Sequence, residues 1–80
     1  MFKNKTKDGS SNVCGKNIAR LRKALQLSQN DIAHQLQLVG IDVDKNAIQR
    51  IECGKRNVID IEIIALAKVF NVTFEELLKE

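Results

Sequence analysis

Apolar positions recur at three- and four-residue intervals along most of this chain, the spacing that lines one side of an α-helix. Ile18, Leu21 and Leu25 predict a first helix over about 16–26, with Val13 just ahead of it and Ala24 in support. Ile32, Ala33 and Leu36 predict a second, opening at Ser28, a good N-cap with Asp31 three residues on, and fading before Gly40. Ala47, Ile48 and Ile51 predict a third over 45–53, capped by Asp44 and closed by Gly54. Asp60 is expected to cap a fourth, which offers Ile61, Ile64, Leu66, Ala67 and Phe70 to the core and ends at Asn71. Thr73-Phe-Glu-Glu76 reads as a capping box for a short fifth helix carrying Leu77 and Leu78. Only "VIDIEII", residues 58–64, alternates like a strand, and the Ala-Leu-Ala-Lys after it returns the pattern to helix. The expectation is all-α: five helices over 13–80 and no sheet.

Residues 1–12 stand outside that pattern. Lys3, Lys5 and Lys7 are followed by Asp8-Gly-Ser-Ser-Asn12, with almost nothing to bury, so a disordered polar tail is expected.

Composition then narrows the class. Eighty residues suffice for one small domain, and helices that pack locally are the economical way to build it. No apolar run approaches the ~18 residues of a membrane span, and the amino-terminal cations have no apolar stretch behind them. Cys14 and Cys53 have no metal-ligand or C-x-x-C spacing and are read as free thiols of a cytoplasmic protein. His34 lacks a ligand-spaced partner, so no metal is expected. No paired carboxylates, nucleophile–base set or phosphate-cradling glycine loop stands out; neither an enzyme nor a cofactor is expected.

Charge is more telling in its distribution than in its sum. Residues 14–56 carry eight Lys/Arg against four acids, and residues 57–80 carry two against five. A basic half joined to an acidic half suits a nucleic-acid surface with a separate scaffold. The third helix sharpens this. At about 100° per residue, Lys45, Asn46, Gln49, Arg50 and Cys53 fall opposite its apolar side. Asn and Gln can pair bidentately with adenine, and Arg and Lys with guanine N7 and O6. A solvated polar face is the plain alternative.

Several short motifs now line up. Ile18-x-x-Leu21-Arg22 is followed by Leu27-Ser28-Gln29-x-x-Ile32-Ala33, then by Ile48-x-x-Ile51-Glu52-x-Gly54-Lys55-Arg56. Ala65-Leu66-Ala67-Lys68 and Val72-x-x-Glu75-Glu76-Leu77 complete the series. Over residues 16–78 the chain resembles the Cro/repressor-type, lambda-repressor-like helix-turn-helix family. The resemblance implies that the second and third helices form the motif and that the third enters the major groove. It gives Lys45, Asn46, Gln49 and Arg50 base-facing roles, and gives Gln29, Lys55 and Arg56 phosphate-contacting ones. It also implies an Arg22–Glu52 salt bridge between the first and third helices. Three features depart from the pattern: a longer connector, "LVGIDV" over 38–43, expected to pack; Asp42 and Asp44 at the entry of the third helix; and Asn57-Val58 where the family often carries a proline soon after the Gly-Lys-Arg.

The function these readings imply is a sequence-specific, double-stranded-DNA-binding transcriptional regulator, with repressor as the expected sense. A homodimer joined through Val72, Phe74 and Leu78 would match two-fold half-sites. The alternative is the same fold serving as a protein-interaction module, such as an antitoxin or adaptor.

Overall fold

The computed structural model describes residues 4–80. Five helices follow in order: α1 (Gly15–Ala24), α2 (Gln29–Leu38), α3 (Lys45–Glu52), α4 (Asp60–Phe70) and α5 (Phe74–Leu77). There is no strand among the described residues, so "VIDIEII" belongs to a loop and the first turns of α4.

Helix starts follow the short-range chemistry of their caps. Ser28 and Asp31 form a reciprocal capping box, with Asp31 N–H donating to Ser28 Oγ at 3.0 Å and Ser28 N–H to Asp31 Oδ2 at 2.8 Å. Asp44 Oδ1 accepts from Ala47 N–H at 2.8 Å, and Thr73 Oγ1 from Glu76 N–H at 3.1 Å. Asp60 does not cap α4. Ile59 holds the N-cap position, and the Glu62 carboxylate accepts its N–H at 3.1 Å.

Helix ends are equally regular. The residue after α3's C-cap, Gly54, has φ +76°, and Lys55 N–H reaches back to Arg50 O while Gly54 N–H reaches Ile51 O. Gly40 at φ +89° does the same for α2. The first helix stops short of its expected end because Gln26 turns left-handed, at φ 58°, and Leu27 N–H bonds back to Arg22 O.

The core draws from every helix: Ile18, Ile32, Leu36, Ile48, Ile51, Leu66 and Leu77 are fully enclosed, with Phe70 close behind. The fourth helix is phased differently from expectation. Ala65, Leu66, Ala67 and Phe70 face inward, with Ile63 partly so, whereas Ile61 and Ile64 are 56% and 45% exposed. The connector divides likewise. Val43 is buried and Ile41 packs on the core, while Leu38 and Val39 stay exposed. Gln37 Nε2 pins it by donating to Val43 O at 2.7 Å.

The amino-terminal segment requires a further correction. Met1–Lys3, the start of the expected disordered tail, lie outside the described residues. From residue 4 the chain is tied down. Thr6 and Ser10 close a turn, Ser11 N–H donates to Gly54 O at 2.7 Å, and Asn12 Nδ2 donates to Ile51 O and Arg56 O at 3.0 and 2.7 Å. Asn12 Oδ1 in turn accepts from Gly15 N–H at the start of α1. At the other terminus, buried Asn17 donates to Leu77 O and Lys79 O, both at 2.8 Å, and so caps the end of α5.

Candidate nucleic-acid interface

The third helix is positioned by opposite faces of one short sequence. Ala47, Ile48 and Ile51 are buried, mainly against α2, and Lys45, Asn46, Gln49 and Arg50 are left exposed together on the outer side. Asp44 is satisfied by its cap, so its charge lies over the amino end of α3, where the helix dipole favours it. Asp42 is exposed beside it.

Behind this surface the helices are locked by Arg22 and Glu52. Arg22 Nε donates to Glu52 Oε2 at 2.7 Å and Nη2 to Oε1 at 3.0 Å, with side-chain exposures of only 13% and 8%. Arg22 Nη1 also donates to Leu27 O at 3.0 Å, which ties α1 and the turn before α2 to α3. The bidentate carboxylate holds the guanidinium proton more firmly than usual, raising its pKa. Gln29 joins the cluster: its Nε2 donates to Glu52 Oε1 at 3.1 Å. The other N–H of that amide has no partner among the described residues.

Beyond α3 the two cations that the resemblance paired for phosphate separate. Lys55 is exposed. Arg56, by contrast, is held on Glu62, with Nη1–Oε1 and Nη2–Oε2 at 2.9 and 2.8 Å, and Nη1 also donates to Asn57 O at 3.0 Å. The guanidinium is the main reason the Glu62 carboxyl is depressed below its ordinary value. Arg56 is therefore a joint between the α3–α4 loop and α4 before it is a phosphate ligand. Sequence reading missed Glu62, which is 7% exposed despite its charge. The available signal was its place three residues after the start of a helix with no capping side chain.

Cys14 is buried, which pushes its thiol up to about 11, while Cys53 is free and exposed at the end of α3. No cluster that could hold a metal exists among the described residues. No described helix is long and apolar enough to cross a membrane.

A family model described as helix-turn-helix matches residues 18–77, which span α1 to α5. The chain belongs to this Cro/repressor-type helix-turn-helix family. Among solved structures it is similar to the restriction-modification controller protein C.AhdI from Aeromonas hydrophila, at 30% identity and a TM-score of 0.68, over 79% of this chain and 84% of that one. No curated protein matches.

Proposed function

We propose that this helix-turn-helix protein is a sequence-specific regulator of transcription that reads duplex DNA with α3. The observation that carries the reading is the grouping of Lys45, Asn46, Gln49 and Arg50 on one exposed face of a helix whose opposite face is locked into the core. Each can address base edges in the major groove, and together they suit mixed adenine and guanine contacts. Gln29 and Lys55 flank them as phosphate holders, and Arg22–Glu52 fixes the angle at which the face is presented. Likeness to a controller protein supports a regulatory role, and repression is the simplest output of a domain whose bound form occludes its site.

Two copies acting together suit the reading. Ile61 and Ile64 on α4 stand outward with Phe74 and Leu78, which are 54% and 40% exposed, so the apolar surface expected from α5 continues onto α4. Val72 packs instead against the core. A second copy covering that face would give the pair two α3 helices, as a two-fold site with two half-sites needs.

The test is selection of bound duplexes from a random pool by the full chain. A recovered motif with pseudo-two-fold symmetry is expected. An empty selection overturns the DNA reading and leaves the interaction module.

A further inference from the structure

The residues before α1 form part of a built surface. Ser11 and Asn12 latch them to carbonyls at and beyond the end of α3, and Ser10 fits against Gly54 so closely that a Cβ there would lie 2.6 Å from Ser10 Oγ. Asp8 holds the turn: its carboxylate accepts from Thr6 Oγ1 and from Ser10 N–H, which depresses its pKa to about 2. Lys5 is thereby placed, with Nζ donating to Ser11 Oγ at 2.7 Å. Among the described residues, its other two N–H donors have no partner.

What surrounds Lys5 gives the chemistry. An open groove runs between this segment and the α3–α4 loop, with Lys5 and Lys55 on its rim beside Asn4 and Asn57. No Asp or Glu lines it. The neighbouring groove contains Lys7 and Lys16 but also Asp8, Glu52 and Glu80, so its charges offset one another. Two cations and two amides without a carboxylate suit an oxyanion, and the groove begins one residue past the glycine that ends α3.

We infer that residues 4–12 are a fixed arm that brings Lys5 to a backbone phosphate next to the one held by Lys55, extending the DNA surface beyond α3. The inference rests on the DNA-binding reading above, and its test separates the two.

The full chain is titrated onto its selected duplex and onto a scrambled duplex at several salt concentrations. One phosphate contact contributes a slope of about 0.9 in log affinity against log salt, or roughly eightfold near 0.1 M. Lys5→Ala should weaken both duplexes by about three- to eightfold and flatten the slope by up to about 0.9. Lys5→Arg should restore most of it, and Lys7→Ala should change affinity less than about twofold. Lys5 is exposed, so folding is not at stake. If the unaltered chain binds but Lys5→Ala keeps its slope, or Lys7→Ala loses as much, the arm is overturned and the α3 reading stands. If the unaltered chain binds neither duplex, both fall.

Discussion

Gly15 is set by lack of room. A Cβ at this first residue of α1 would collide with the Ile51 carbonyl oxygen of α3 and approach Asn12 Oδ1 to 2.7 Å. Both are fixed, one by the α3 backbone and the other by its bond to Gly15 N–H. Gly15→Ala should therefore cost about 3 kcal/mol through overpacking, and Gly40→Ala, where only the positive φ objects, about 1 kcal/mol. Urea unfolding of the two variants checks the order; equal losses would mean that α1 and α3 are not held this close. On the exposed face of α3 the residues divide by what they would touch. Asn46→Ala and Arg50→Ala should each cost about 1–3 kcal/mol on the selected duplex and little on scrambled DNA, relaxing preference at one base pair. Lys55→Ala should weaken both alike, because it lies past the helix end. Competition titrations of the three variants decide it, and identical behaviour would reduce α3 to a basic surface.

At the scale of elements, the helix starts and ends were legible where one residue's chemistry suffices: Ser28, Asp44 and Thr73 cap, and Gly54 terminates. The phase of α4 was not, because Ile61 and Ile64 lie on a different side from Leu66 and Phe70, and hydropathy gives no reason to bury either pair first. Only packing against α2 and α5 selects Leu66 over Ile61 and Ile64. The exposed polar face of α3 was legible because a short amphipathic helix has one polar side. The docked arm was not: Asn12 and Ser11 pair with backbone carbonyls, which leave no periodic trace in a sequence. The end of α1 exposes a strained choice, since Gln26 occupies a left-handed position that favours glycine. Gln26→Gly should stabilise by roughly 0.5–1 kcal/mol, seen as a higher urea midpoint at unchanged slope. A fall in the midpoint would show that the Gln26 side chain contributes more than its backbone costs. The joint at α4 should be visible in pH. Glu62 titrates below its ordinary 4.5, so its contribution is complete above that value and fades as pH falls towards its folded pKa. Glu62→Gln should be less stable than the unaltered chain by about 1–2 kcal/mol near neutral pH, with the gap closing as pH falls below 4.5 and through its folded pKa. A gap independent of pH would assign the effect to packing instead of charge.

The whole molecule separates its tasks along its charge. The basic part, 14–56, carries the α2–α3 motif, and the acidic part, 57–80, carries α4 and α5 with the exposed Ile61, Ile64, Phe74 and Leu78. Like-charged acidic ends repel, so an interface there must draw on apolar area and should be weak and salt-promoted in the free protein. DNA binding has the opposite salt dependence. A second copy doubles the phosphates neutralised, so the fall of log affinity with log salt should be about twice as steep for a dimer on a two-fold site as for a monomer. Ile64→Asp places a charge on an already exposed position, so it should leave the fold intact while lowering self-association and halving the slope. Sedimentation of both proteins at high micromolar concentration, alone and with the selected duplex, checks the argument. A monomer in every case, or a dimer indifferent to Ile64→Asp, would remove α4 and α5 as the contact and leave one copy per site.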